Sequence, residues 1–253
     1  LGAEDIDAAR AFYGSLFGWE IPPGLPETGG YTMGIKNNRN AAGLAPKMDP
    51  EQPSVWTTYI ATDNVDESVA KITANGGQVL MEPMDVMDVG RMAIAQDPGG
   101  AAFGLWQARA HVGAGIVNEP GSLCWNENMT RSWEACKTFY AAVFGWGYTD
   151  MSDAGFKYAT FSAAGKDVGG IGELSSDAPA EAPSQWMTYF AVADTDVALD
   201  HLVKLGGSIV RPASDSPYGR MATVTDDHGV TFSLISVPEN ADYTANSTAD
   251  GTE

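Results

Sequence analysis

The hydrophobic pattern is clearest between Gly121 and Trp146, where a strand-like run passes straight into an amphipathic helix. Trp133, Cys136, Phe139, Tyr140, Val143 and Phe144 fall on one side of a 3.6-residue spiral. Gly145 then ends the helix, as a residue that tolerates positive φ does. Ile6, Ala9, Phe12, Tyr13, Leu16 and Phe17, followed by Gly18 and Trp19, repeat this stripe at a constant offset of 127. Further along, Trp56-Thr57-Thr58-Tyr59 matches Trp186-Met187-Thr188-Tyr189, and Gly76-Gly77 matches Gly206-Gly207, at an offset of 130. Gly90-Arg91-Met92-Ala93 matches Gly219-Arg220-Met221-Ala222, and Asp97 with Gly100 matches Asp226 with Gly229, at 129. An offset that drifts only at loops marks a duplication, so the chain holds two copies of one unit.

In the first copy the pattern predicts a helix over 6–17, then strands over 31–35 and 41–45 around the turn Asn37-Asn38-Arg39-Asn40. A strand over 55–62 follows, then a helix over 65–75 capped by Asp63 or Asn64 and closed by Gly76-Gly77. Three more strands fall over 78–81, 91–96 and 101–107. The second copy reads alike, with strands over 121–128, 156–162, 167–174, 186–192, 207–211, 220–225 and 230–236 and helices over 131–144 and 196–205. The order is read as β-α-β-β-β, twice within each copy. The counterpart of strand 121–128 would end at residue 1, so the first strand of the first copy is expected to be absent from the sequence. The expected domains are 1–108 and 121–237, joined by a connector over 109–120 and followed by a disordered acidic tail over 238–253, which has no Lys or Arg.

A length of 253 residues suits two self-supporting domains of roughly 100 to 120 residues each. No apolar run approaches the ~20 residues a membrane helix needs. Net charge is −19 with Lys and Arg scattered singly, so nucleic acid and membrane surfaces are not expected partners. A small-molecule ligand, bound by a monomer or homodimer, is. The two cysteines sit on a strand (Cys124) and on a buried helix stripe (Cys136), where a small apolar role is expected rather than a disulfide or metal site. A reducing, cytoplasmic setting fits, and no signal peptide is visible at Leu1.

Paired β-α-β-β-β modules with Phe12-Tyr13 and Phe17-Gly18-Trp19 ending the first helix, Gly76-Gly77 leaving the second and an Asp97-Pro98-Gly99-Gly100 turn resemble the vicinal oxygen chelate superfamily. That superfamily includes glyoxalase I, fosfomycin and bleomycin resistance proteins and extradiol dioxygenases. The tandem form, with WTTYIATDNVD, GRMAIAQDPGGAAFGLWQA and HVGAGIVNEPGSLCWNE, looks like the two-domain glyoxalase-like proteins of actinobacteria that carry the label hydroxylase. The resemblance implies an α+β fold of tandem vicinal oxygen chelate domains, each made of two βαβββ modules whose strands curl into a cup. It also implies where metal-dependent members would place His or Glu. The first-strand position falls at Trp125, the fourth at Pro46 and Glu173, the fifth at Thr57 and Met187, and the eighth at Gly104 and Ser233. Glu173 alone is a hard ligand, so neither metal nor other cofactor is expected. His111, His201 and His228 read as structural or solvated, and no two stand at ligand spacing.

Residues two apart on a strand share a face, so Trp125 goes with Glu127, Thr57 with Tyr59, and Met187 with Tyr189. If these faces line the cups, an apolar floor with a few polar groups suits a small molecule; otherwise the same side chains simply fill the barrel. Ser233, Glu173 and Arg220 complete the candidate ligand-binding set. Glu127 sits mid-strand, where a buried carboxylate needs a partner, and Arg220 or Arg91 is the expected one. That pair is either a structural salt bridge or part of a catalytic, ligand-orienting carboxylate. The leading reading is metal-independent binding of a small apolar or aromatic molecule, of the sequestration or resistance type. The alternative is an enzyme: a lyase, isomerase or hydroxylase working metal-free through Glu127, or with metal ligands elsewhere. A third reading has vestigial cups in a surface or signalling protein.

Overall fold

The apolar stripe at the start of the chain closes as a helix because both of its ends are satisfied. In α1 (Ile6–Phe17), Asp5 accepts from the amides of Asp7 and Ala8, and Gly18 terminates it with φ of 68°. In α3 (Trp133–Phe144), Gly145 does the same with φ of 71°. Of the two caps expected for α2 (Val65–Ala74), Asn64 serves, through Glu67 N; Asp194 caps α4 (Thr195–Lys204) through Val197 N. The computed structural model describes residues 1–153, 155–163, 165–175, 178–179 and 181–237, and the expected tail 238–253 lies outside the described residues.

The strands of the first copy are β1 (Gly2–Ala3), β2 (Thr32–Lys36), β3 (Arg39–Pro46), β4 (Tyr59–Ala61), β5 (Gln78–Val86), β6 (Gly90–Gln96) and β7 (Ala102–Ala108). Those of the second are β8 (Leu123–Thr130), β9 (Gly147–Asp150), β10 (Tyr158–Ala163), β11 (Lys166–Glu173), β12 (Gln185–Ala191), β13 (Ser208–Ser216), β14 (Gly219–Thr225) and β15 (Thr231–Ser236).

The strand thought missing from the first copy is present in part. β1 pairs in parallel with β3, Gly2 opposite Ala45 and Ala3 opposite Pro46, and this is the register of Met129 opposite Gly172 and Thr130 opposite Glu173. The repeat's strand therefore runs two residues further than its apolar pattern suggests, and β1 is its end. The strand expected over 55–62 is shorter: Val55 makes only a bridge to Gly2, and Trp56 turns its indole N–H to the Tyr13 hydroxyl at 3.0 Å. β5 and β13 run longer than expected because register shifts absorb their irregular, largely exposed residues.

The chain divides into two compact units that cut across the copies. Among the described residues, unit 1 comprises 1–56, 114–124 and 189–237, and unit 2 comprises those within 57–113 and 125–188. In unit 1, α1 packs with α4, and Phe12, Tyr13, Phe17, Trp19, Phe190, Leu202, Val224 and Phe232 form one core. Its strands order as β1-β3-β2 and β13-β14-β15-β12. In unit 2, α2 packs with α3 around Ile72, Phe103, Phe139, Tyr140, Trp146, Phe161 and Trp186, with strand orders β4-β7-β6-β5 and β8-β11-β10-β9. Each unit thus joins the first module of one copy to the second module of the other.

Candidate functional site

β8 alternates so strictly that its two faces do different work. Asn126, Asn128 and Thr130 point one way, and Asn128 and Thr130 are fully buried. There Asn128 Nδ2 donates to Asp97 Oδ2 at 2.8 Å, the Tyr140 hydroxyl donates to the same oxygen at 2.9 Å, and Trp186 Nε1 donates to Tyr140 at 2.9 Å. Asp97 Oδ1 accepts from the amides of Gly99 and Ala101, closing the turn that leads into β7. Unit 1 repeats the device: Tyr13 donates to Asp226 at 2.9 Å, Trp56 donates to Tyr13, and His228 N and Val230 N donate to Asp226 Oδ1. Burial, reinforced by the neighbouring carboxylate, holds both tyrosine hydroxyls well above their usual pKa. These networks belong to the core, and among the described residues Asn128 Oδ1 is the atom of theirs left buried without a partner.

The opposite face of β8 carries Trp125, Glu127 and Met129. Beside it, β11 brings Gly170 and Gly172 opposite Glu127 and Met129. Without a side chain at Gly170, the Tyr158 ring from β10 lies across the strand: a Cβ there would fall inside its hydroxyl. That reach makes a chain of hydrogen bonds. Trp125 Nε1 donates to the Tyr158 oxygen at 3.1 Å, and Tyr158 donates to Glu127 Oε1 at 2.7 Å. Phe156 stacks on Tyr158 with ring centroids 5.7 Å apart and planes 17° apart, and it is 43% exposed. An aromatic wall tied to one carboxylate therefore stands on a glycine floor. Unit 1 has the same tyrosine-on-glycine arrangement with an apolar end, since Tyr31 lies over Gly43 and donates to Met33 Sδ at 3.0 Å.

Of the residues singled out from the sequence, the structure unites Trp125 with Glu127. The arginine expected beside Glu127 is replaced by Tyr158. Arg220 is engaged by Asp196 at 2.7 Å and Asp215 at 3.1 Å, and Arg91 by their counterparts Asp66 and Asp85, because each arginine ties its strand to a helix start and a hairpin. Elsewhere in unit 2, Tyr59 lies half-exposed over Gly104, Thr57 is half-buried, Met187 is buried and Glu173 binds Lys157 at 2.9 Å. In unit 1, Tyr189 pairs with Ser233, whose buried hydroxyl lies 3.4 Å from Thr223 Oγ1. Tyr158, Phe156 and Gly170 escaped the sequence reading. The recurrence of Tyr31 with Gly43 as Tyr158 with Gly170, at the repeat's own offset of 127, was the available signal.

The cysteines are free thiols, and burial pushes Cys124 up to about 12 and Cys136 to about 11. His111 is lowered by burial, whereas His228 is raised by its bond to Asp227. Among the described residues no three His, Cys, Asp or Glu side chains gather as metal ligands. The positions a metal-dependent relative would use do not fit a divalent ion: the Trp125 indole serves Tyr158, Glu173 serves Lys157, and Gly104 has no side chain. Among the described residues, no helix is long and apolar enough to cross a membrane.

Four helices packed on curled sheets built from tandem β-α-β-β-β modules define the vicinal oxygen chelate fold. A family model described as the Glyoxalase/Bleomycin resistance protein/Dioxygenase superfamily matches residues 1–105 and 128–234, and the chain belongs to that superfamily. It is 40% identical over 242 residues to "Putative glyoxylase CFP32" of Mycobacterium tuberculosis, covering 93% of this chain and 92% of that protein. It is 34% identical over 254 residues to "Anthracycline biosynthesis protein DnrV" of Streptomyces peucetius, covering 94% and 92%. Among solved structures, the Mn(II)-bound glyoxalase from Novosphingobium aromaticivorans shares the fold with a TM-score of 0.64 at 16% identity, covering 97% of this chain and 82% of that one. The catechol dioxygenase BphC does so with a TM-score of 0.59 at 13% identity, covering 95% and 86%.

Proposed function

We propose that the chain binds a small, largely apolar aromatic molecule without a metal, on the β8–β10–β11 face of unit 2. The observation that carries this reading is the chain of hydrogen bonds from Trp125 through Tyr158 to Glu127 over Gly170. Aromatic side chains supply contact area and stacking, while a carboxylate fixes orientation. The likeness to a protein of anthracycline biosynthesis supports an aromatic ligand. In this reading the protein acts in the cytoplasm, as a monomer or homodimer, by sequestering its ligand.

A second reading takes the face as a metal-free active site of lyase, isomerase or hydroxylase type. It is favoured by one contact: the 2.7 Å bond from Tyr158 to Glu127 places a proton donor on a carboxylate that could move a proton to or from a bound substrate. Titration of planar aromatic and polyketide-like compounds into metal-stripped protein tests the first reading and separates it from the second. Sequestration predicts saturable binding that Trp125→Ala weakens roughly tenfold, from ~1 kcal/mol of stacking plus lost contact area, with Glu127→Gln shifting affinity modestly. Catalysis predicts turnover that Glu127→Gln abolishes while binding persists. Binding that vanishes with the metal and returns with Zn, Ni, Fe or Mn overturns both.

A further inference from the structure

Among the described residues, Thr160 is a buried polar group of this face that stands outside the hydrogen-bond chain from Trp125 to Glu127. Thr160 is 9% exposed, and its hydroxyl oxygen is buried with no hydrogen-bond partner among the described residues. Its place follows from the register. Thr160 pairs with Gly170, which pairs with Glu127, and Tyr158 is two residues away on a stretch of β10 whose register shift comes later, after Phe161. Thr160 therefore shares the face of Tyr158, Glu127 and Trp125. A threonine hydroxyl both donates and accepts, and one buried without a partner weakens the unliganded protein unless something else satisfies it.

The same place shows which partner would fit. The Tyr158 phenol lies on Gly170, the residue paired with Thr160, with its oxygen accepting from Trp125 and its proton given to Glu127. The face is thus already complementary to a phenol. An anion is disfavoured there, because Glu127 stands at hydrogen-bond distance and the whole chain carries −19. Resting on the aromatic-binding reading above, we propose that the ligand is a neutral, hydroxyl-bearing aromatic, and that Thr160 takes its hydroxyl when the Tyr158 ring swings off Gly170. Thr160 then determines specificity for the hydroxyl, and Tyr158 is the side chain the ligand displaces.

Equilibrium dialysis of 2-naphthol, naphthalene and 2-naphthoate against wild type and Thr160→Val tests this. The wild type should bind 2-naphthol roughly tenfold tighter than naphthalene, one net hydrogen bond's worth, and should reject 2-naphthoate. Thr160→Val should lose that preference, bind naphthalene unchanged, and melt no lower than wild type, since it removes an unsatisfied group. Equal binding of 2-naphthol and naphthalene to wild type, or an undiminished preference in Thr160→Val, overturns the role of Thr160 and leaves aromatic binding standing. Failure of both neutral compounds to bind wild type overturns the aromatic reading, and this inference with it.

Discussion

Removing the Tyr140 hydroxyl should be one of the costliest single-atom changes in the chain. It donates to Asp97 at 2.9 Å and accepts from Trp186 Nε1 at 2.9 Å and Asn128 Nδ2 at 3.3 Å, in a residue 1% exposed. In Tyr140→Phe the carboxylate keeps Asn128 and two backbone amides, so its loss is one charge-assisted bond, ~1.5–3 kcal/mol. A second consequence falls on Trp186, 8% exposed, whose indole N–H is left in the core without that acceptor, at ~1–3 kcal/mol more. The expected total is about 3 kcal/mol or above. Tyr13→Phe breaks the matching bonds in unit 1, but Trp56 is less deeply buried than Trp186, so a smaller cost, about 2 kcal/mol, is expected. Urea unfolding followed by circular dichroism measures both, with the slope checked for constancy. Adding Trp186→Phe to Tyr140→Phe should cost less than the sum of the single changes, since no partner is then stranded. A Tyr140→Phe cost below ~1 kcal/mol, or one no larger than that of Tyr13→Phe, would refute the accounting.

Gly170→Ala should leave the fold intact but push the flexible end of Tyr158 off its seat, shifting tryptophan emission through Trp125; a Trp125→Phe background should abolish the shift. Gly169→Ala should destabilise far more, because its Cβ would meet the Asn126 carbonyl oxygen at 2.7 Å, and equal costs for the two would contradict the assigned faces. Tyr13, Tyr140, Cys124 and Cys136 all have folded pKa values raised by burial, so the folded state holds protons that the unfolded state gives up. Their contribution is complete below about pH 9, where the unfolded thiols begin to titrate, and is lost as pH rises through 10 and beyond. Melting temperature measured from pH 7 to 11 should therefore fall at the alkaline end, and a flat profile would contradict it.

The sequence alone determines what local chemistry can determine. The stripes Ile6–Phe17 and Trp133–Phe144, the stops at Gly18 and Gly145 and the constant offset establish four helices, most of the strands between them and the superfamily, but not the short strand β9. Face parity along β8 likewise puts Trp125 with Glu127. Tertiary structure decides which partners those faces meet. Tyr13 and Asp226 are 213 residues apart, and Tyr140 bonds Asp97 rather than an aspartate of its own copy. Two near-identical modules present near-identical apolar stripes, so sequence pattern cannot say which pairs of modules share a core. The partner of Glu127 was hidden for a similar reason. Charge suggested Arg220 or Arg91, yet both arginines are taken by carboxylates close to them in their own modules, and a phenol arrives across Gly170 because a missing Cβ leaves it room. A glycine in a strand announces space, but only the folded sheet shows which ring fills it.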